Sequence, residues 1–232
     1  MHRGYNYGSA LQVFALQKAI ENVGFAVEVL DYIPVRCNFK KNITELLKKF
    51  FKGSIYANAR ALMLLVLYES TYSKFFRRNV NLTHSYYSSK EIEKNLQEYD
   101  VYMTGSDQVW NTFYNHGIDK LFYLDFAPEH KKRVAYAASF GMSEIDSQYK
   151  EETKRLLSKY SVISVRESSA IDLLKSIGIN NGVHVLDPTF LLSKEDWKQV
   201  VGRYLPQKKE KYLLIYSVEP NFQNVIACAF SR

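Results

Sequence analysis

Gly105-Ser-Asp-Gln-Val-Trp-Asn111 decides the fold, because it follows directly on Tyr99-Asp-Val-Tyr-Met-Thr104, a segment with the pattern of a buried strand. In open α/β sheets, ligands bind beyond the carboxyl ends of the strands, where a glycine lets the backbone come close and short polar side chains point at a sugar or an anion. The same residue types also make turns, with Ser106 or Asp107 capping the next helix and Trp110 in the core. The segment therefore predicts either a ligand site or a capped turn, and by itself it leaves both open.

Strand and helix patterns alternate along the chain, which indicates an α/β fold with a mostly parallel sheet flanked by helices. Helices are predicted over residues 9–22 and 143–159, and Gly178 is predicted to end a third. The predicted strands cover residues 26–30, 99–104, 133–138, 161–165 and 183–186.

Both ends of the chain indicate part of a larger protein. The glycine-rich loop Gly4-Tyr-Asn-Tyr-Gly8 opens a helix, where a strand normally precedes, so the first strand of the sheet is expected to be missing. At the other end, Lys208-Lys-Glu-Lys211 has the character of a linker, and Tyr212-Leu-Leu-Ile-Tyr216 that of an opening strand. We therefore predict an N-terminal domain over residues 1–205, then a linker and the start of a truncated second domain over residues 206–232.

Positive charge is concentrated in one segment. The formal net charge is +7, and residues 32–80 hold ten Lys and Arg against two Glu, a balance of +8. Residues 40–52 combine lysines with apolar residues at helical spacing, the pattern of a basic amphipathic helix that contacts an anionic membrane surface. A helix packed on the sheet with its cationic face in water has the same pattern, and both interpretations stay open. Nucleic acid is not expected as a partner, because no nucleic-acid-binding motif accompanies the charge.

Composition excludes several classes of protein. Cys37 and Cys228 lie far apart without CxxC or Cys/His spacing, so neither a disulfide framework nor a metal site is indicated. The longest apolar run, residues 61–68, is much shorter than the roughly 20 residues that a bilayer crossing needs. The N-terminus lacks the apolar core of a signal peptide. A cytoplasmic protein is expected, peripheral at the inner face of the membrane if the basic helix binds lipid.

Four predicted strand ends carry side chains that can bind a ligand. They present, in chain order, Ser106, Asp107 and Gln108, then Ser139, then Arg166 and Glu167, and finally Asp187. Parallel strands bring these ends to one edge, and the amide groups of the loop over residues 4–8 favour an anion at a helix start. The loop matches neither GxGxxG nor the P-loop, so nucleotide binding is not indicated. The edge suits a phosphate or carboxylate ligand.

Five motifs resemble, in the same order, those of the polysaccharide pyruvyl transferases. They are NYGSALQ (residues 6–12), GSDQVWN (105–111), AYAASFG (135–141), SVRE (164–167) and DPTFLL (187–192), with Trp197 beyond the last. The resemblance covers nearly the whole chain and implies a Rossmann-like N-terminal, acceptor-side domain of a two-domain GT-B-like fold. It also implies that the chain is little more than the N-terminal half of a typical family member.

The resemblance implies transfer of pyruvate from phosphoenolpyruvate to a sugar or lipid-linked glycan, closing a ketal on two hydroxyls. The setting implied is bacterial capsule or exopolysaccharide assembly, with phosphoenolpyruvate as donor substrate and no cofactor. Because the donor carries phosphate and carboxylate, Arg166 is expected to clamp one of them, an ion pair with Glu167 being the alternative. Asp107 is expected to orient or deprotonate an acceptor hydroxyl, or else to cap a helix.

The other candidate residues are expected to bind substrate. The set comprises Asn6, Tyr7, Gly8, Ser106, Gln108, Trp110, Asn111, Ser139 and Glu167. Trp110 either stacks on a sugar face or packs in the core, Ser139 either binds an anion or caps a turn, and Asp187 before a proline is expected to be structural. The resemblance places a donor-binding arginine and histidine in the C-terminal half, so this chain is expected to be an incomplete enzyme. A nucleotide-sugar glycosyltransferase of the same architecture and a non-catalytic glycan- or membrane-binding remnant remain the alternatives.

Overall fold

The computed structural model describes residues 5–34, 37–49 and 54–201. The predicted linker and second-domain start over residues 206–232 lie outside these residues. Within them, the elements in chain order are α1 (Tyr7–Asn22), β1 (Val29–Tyr32), α2 (Phe39–Lys49), α3 (Ile55–Asn79), β2 (Leu82–Tyr86), α4 (Ser89–Asn95), β3 (Val101–Thr104), β4 (Lys132–Ala138), α5 (Ser147–Leu157), β5 (Val162–Val165), α6 (Ser169–Ser176), β6 (Gly182–His184), a 3-10 helix (Pro188–Phe190) and α7 (Lys194–Val201).

The strands form two parallel sheets within the described ranges. One has the order β3-β4-β5-β6, and the other pairs β1 with β2. The predicted α/β class with parallel sheets flanked by helices is confirmed. Neither β2 nor the division into two sheets was predicted from the sequence. Only Tyr86 among the five residues of β2 is buried, so the hydrophobic pattern of this strand is weak.

Capping residues set several of the helix ends. The Asn6 side chain accepts a hydrogen bond from the Ser9 amide at 3.0 Å and starts α1. Gly178 ends α6 as predicted: it has φ +83°, and the amide of Ile179 donates to the carbonyl of Leu174 at 2.9 Å. This is the left-handed termination that favours glycine.

The main core lies between the four-stranded sheet, α5 and α6. Ile163 and Val165 from β5 pack in one cluster with Leu156 of α5 and Leu174 of α6. Arg133 of β4 is also buried, and its guanidinium donates to the carbonyls of Leu124 and Ala127. A buried cation is tolerated when its donors are satisfied, so Arg133 fixes the loop that joins β3 to β4.

A second hydrophobic core holds α1 next to the edge of the sheet. Phe14 and Ala15 of α1 cluster with Phe76 of α3 and with Leu192, and the ring of Phe14 lies 5.8 Å from that of Trp197. Because α1 is held between α3 and the chain that follows β6, its first turn reaches the carboxyl ends of the strands.

Candidate active site

The carboxyl ends of β3, β4 and β5 meet the start of α1 and the 3-10 helix, as the parallel pairing predicted. We call this set of residues the polar edge; it consists of Ser9, Ser106, Asp107, Ser139, Arg166, Glu167 and Asp187.

Arg166 is the cation of the polar edge. Its Nη1 donates to the Ser106 hydroxyl at 3.2 Å and to a carboxylate oxygen of Asp187 at 3.4 Å, and its Nε donates to Glu167 at 3.0 Å. The ion pair with Glu167 is therefore formed. Since a guanidinium has five N–H donors, this pairing leaves Nη2, which has no partner among the residues that the structure describes. The neighbours fix the orientation of Arg166 and leave donors for a ligand.

Asp187 connects the polar edge to the 3-10 helix. Its Oδ1 accepts from the amide and hydroxyl of Thr189 at 3.0 and 2.8 Å, and its Oδ2 accepts from the Ser106 hydroxyl at 2.8 Å. Burial alone would raise the pKa of Asp187, but these hydrogen bonds and the charge of Arg166 hold it below its ordinary value. Asp187 thus caps the 3-10 helix and also holds Arg166 in place.

Asp107 has a strained backbone, with φ +96°. Its carbonyl accepts from the amides of Val109 and Ser139 at 2.8 and 3.0 Å, which holds this conformation in place. Its Oδ2 accepts from the Ser9 hydroxyl at 2.6 Å, and its Oδ1 from the amide of Gln108 at 2.8 Å. Turns follow Asp107, so it caps no helix in the described chain. A non-glycine residue held at positive φ among polar groups is typical of a functional site.

Ser9 is a residue of the polar edge that the predicted site omitted. It stands directly after Gly8 in the NYGSALQ motif, so the motif itself held the signal. Its contact with Asp107 spans 98 residues of sequence, and no local pattern reports such a pair.

A β-bulge shapes β4 next to Asp107. The register with β5 shifts between Ala135 and Ala138, and Ala137 has φ +50°. The Ser164 hydroxyl donates to the Ala135 carbonyl at 2.9 Å and accepts from the Ala137 amide at 3.1 Å, which holds the bulge. Ser139 follows it and is 0% exposed, with no hydrogen-bond partner for its hydroxyl in the described chain. In this arrangement the Ser139 hydroxyl is closed to a ligand.

Trp110 and Asn111 lie in the interior. Trp110 is 1% exposed, with its ring 5.1 Å from Phe140 and 5.9 Å from Tyr123, so it presents no face to a sugar and the core interpretation holds. Asn111 is buried too, and its amide group donates to Gln108 at 2.9 Å and to the Gly141 carbonyl at 3.2 Å. Both side chains pack inside the protein and do not face solvent.

The start of α1 holds the remaining predicted residues. The Asn6 side-chain oxygen is used by the cap of α1, and a Cβ at Gly8 would lie only 3.1 Å from it, so Gly8 gives the cap its room. Tyr7 is 61% exposed beside them. Of these three residues, Tyr7 offers the largest surface to a ligand.

The polar edge carries more negative than positive charge. Three carboxylates, on Asp107, Glu167 and Asp187, accompany the single guanidinium of Arg166. Carboxylates accept hydrogen bonds from sugar hydroxyls, whereas a multiply charged anion needs additional cations. In residues 5–34, 37–49 and 54–201, no group of three or more His, Cys, Asp or Glu is placed to hold a metal ion. Among the described helices none has an apolar stretch that could cross a bilayer.

The fold and this edge are those of an α/β protein whose polar side chains gather beyond the carboxyl ends of parallel strands, where open α/β sheets bind their ligands. The family model for polysaccharide pyruvyl transferases matches residues 6–230, and the chain belongs to this family. The resemblance carried by the five motifs is thereby confirmed, and with it the assignment as a transferase. No curated protein and no solved structure matches the chain.

Proposed function

We propose that the protein transfers pyruvate from phosphoenolpyruvate to a sugar of a polysaccharide or its lipid-linked precursor, forming a pyruvate ketal in bacterial cell-surface polysaccharide biosynthesis. Family membership supports the reaction. The observation that supports the polar edge as the site of this reaction is the position of Arg166, held by Ser106 at 3.2 Å and by Asp187 at 3.4 Å.

The chemistry needs a bound donor and an oriented hydroxyl. Protonation of the donor's methylene carbon makes its second carbon electrophilic, one acceptor hydroxyl adds there, phosphate leaves, and a second hydroxyl closes the ring. Arg166 binds the phosphate or carboxylate through its remaining donors. Asp107 orients the attacking hydroxyl and takes its proton, and the Ser9 hydroxyl, 2.6 Å away, holds that carboxylate in place.

The excess of carboxylates supports an acceptor-side role for this domain. Asp107 and Glu167 suit hydroxyl recognition, while one arginine balances only part of the donor's charge. We infer that further cations, the arginine and histidine that the resemblance implies for a C-terminal domain, complete the donor site. The reaction requires no cofactor.

We also propose a cytoplasmic location with contact to the inner face of the membrane through residues 40–52. Lys40, Lys41 and Lys48 of α2 are exposed, which supports attraction to anionic lipid. The apolar side of α2 is partly covered, because Leu46 lines a cleft between α2 and α3 with Leu65. The contact is therefore mainly electrostatic.

Phosphoenolpyruvate binding and transfer test the proposal together. In a chain that includes the C-terminal domain implied by the resemblance, we expect calorimetry to detect the donor, and NMR to detect a ketal on an acceptor from a panel of bacterial glycans. Arg166→Ala should abolish donor binding, whereas Arg155→Ala, on the exposed surface of α5, should not. Unchanged affinity in Arg166→Ala, or transfer from a nucleotide sugar in place of phosphoenolpyruvate, would reject the assignment.

A further inference from the structure

Four tyrosines form a continuous row of rings between the start of α1 and α3. The ring of Tyr7 lies 5.5 Å from Tyr72, Tyr72 lies 5.7 Å from Tyr5, and Tyr5 lies 6.3 Å from Tyr68. We call this row the tyrosine ladder. It begins two residues before Ser9, whose hydroxyl contacts Asp107, and it continues along α3.

The ladder has a buried base and two exposed ends. Tyr72 is 6% exposed and packs in the core formed by α1 and α3, while Tyr7 is 61% exposed and Tyr68 41% exposed. Packing α1 against α3 accounts for the buried base. Tyr68 also lines the cleft between α2 and α3, and the exposed faces of Tyr7 and Tyr68 form a surface on which a ligand can stack.

A fixed carboxylate accompanies the rings. The Tyr5 hydroxyl donates to Glu69 Oε2 at 2.7 Å, and the Ser73 hydroxyl donates to Glu69 Oε1 at 2.7 Å. Flat aromatic faces cover the apolar C–H face of a pyranose, and a carboxylate accepts bonds from its hydroxyls. The negative charge of Glu69 disfavours an anionic lipid surface at this place.

We propose that the tyrosine ladder is a glycan subsite, on which sugar residues next to the reacting one stack against Tyr7 and Tyr68. The inference rests on the proposed function for the position of the reacting sugar at Asp107. It adds Tyr5, Tyr68 and Glu69, which lie outside the five sequence motifs and outside the predicted site. It assigns the ligand as an uncharged oligosaccharide of two or more pyranose residues.

The test measures binding of the 232-residue chain to a printed array of mono-, di- and tetrasaccharides of glucose, galactose and N-acetylhexosamines. We expect the wild-type protein to prefer the longer ligands. Tyr7→Ala and Tyr68→Ala should each weaken that binding by about tenfold, because each removes one stacked aromatic face. The corresponding Phe variants, which keep the ring, should retain most of it.

Tyr56→Ala is the matched control, because Tyr56 is 81% exposed on the same helix, twelve residues before Tyr68, which is roughly 18 Å along the axis. Its binding should equal that of wild type. No array binding by the wild-type protein, or equal loss in Tyr56→Ala and Tyr68→Ala, overturns the inference.

Failure of the two proposals is distinguishable. Ladder-dependent glycan binding without phosphoenolpyruvate binding would retain the subsite and reject the pyruvyl transfer. Donor binding that requires Arg166, together with indifference to the ladder variants on the array, would retain the transfer and reject the subsite.

Discussion

The polar edge and the helical hairpin formed by α2 and α3 are both rich in charge, and they hold it in opposite ways. At the polar edge, Arg166 lies within 3.4 Å of Asp187 and 3.0 Å of Glu167, and each carboxylate oxygen of Asp107 has a donor of its own. In the hairpin, Lys48 pairs with Glu45 only across an exposed helix turn. One region fixes its charged groups, and the other presents them to solvent.

The difference has a physical consequence for what each region can recognise. Charged groups held by several short hydrogen bonds keep one geometry, which chemistry on a bound substrate requires. Exposed lysines gain little from any one partner and act through a summed field that salt screens. We therefore expect substitutions at the edge to act on the reaction or the fold, and substitutions of the hairpin's exposed lysines to act on association with an anionic surface.

The largest effect is expected from the carboxylate of Asp107. Asp107→Asn keeps the shape and tolerates φ +96°, but it removes the proton acceptor, so the turnover rate should fall by about 10³-fold. Ser9→Ala removes only the donor that positions the carboxylate and should cost about tenfold. Steady-state transfer assays with thermal melts of each variant test this, and a turnover rate within threefold of wild type in Asp107→Asn would remove Asp107 from the mechanism.

The next effect concerns the rigidity of the edge. Gly141 has φ +59°, and a Cβ there would lie 2.5 Å from Cδ of Gln108. Gly141→Ala therefore adds backbone strain and displaces the Gln108 side chain from its hydrogen bond with Asn111, and it should lower the free energy of unfolding by about 2 kcal/mol. Gly24 also has positive φ but open space around it, so Gly24→Ala should cost about 1 kcal/mol. Urea denaturation of both variants separates strain from collision. Equal losses would show that the Gln108 side chain moves aside at little cost in free energy.

A smaller effect is expected in the hairpin. Replacing Lys40, Lys41 and Lys48 with Gln should weaken binding to phosphatidylserine vesicles by about tenfold at low salt, since each lysine near the surface contributes at most about 1 kcal/mol. The control replaces the exposed Lys90, Lys94 and Lys198 with Gln. Vesicle sedimentation at two salt concentrations provides the measurement. Equal binding by wild type and both variants would leave α2 as a packed surface helix.

The smallest effect is the pH dependence contributed by Asp187. Because folding lowers its pKa, its contribution to stability is complete above the ordinary value of about 3.9 and is lost as pH falls through the lower folded value. Below about pH 4, the melting temperature of wild type should therefore fall more steeply than that of Asp187→Asn. Parallel melting curves in acid would mean that Arg166 and Ser106 do not stabilise the charged form.

Much of the fold could be predicted, and the reason differs between elements. Strands β3, β4 and β5 carry runs of apolar and β-branched residues that end in small polar ones, so their ends were located to within a residue or two. The strand β2 was missed because only one of its five residues is buried, and its pairing with β1 comes from long-range packing. The predicted helix over residues 143–159 is shorter in the structure, where the cap at Asp146 sets its start.

The candidate site was predictable in residue type but not in orientation. Ser106, Asp107 and Arg166 meet as expected, because parallel strands bring their carboxyl ends together. The motifs do not indicate that the side chains of Trp110 and Ser139 are buried. The bulge at Ala137 and the packing of the loop on α5 decide which way each side chain points.

By itself, the sequence determined the alternation of strands and helices, the family through five motifs, and the concentration of positive charge in one segment. These are properties of residue identity and local spacing, which any conformation of the chain retains. Tertiary structure alone brought Ser9 to Asp107 and Tyr5 to Glu69, and it divided the polar residues into buried and open ones. Such contacts join residues 64 to 98 positions apart, so only the packing of α1 between α3 and the sheet could create them.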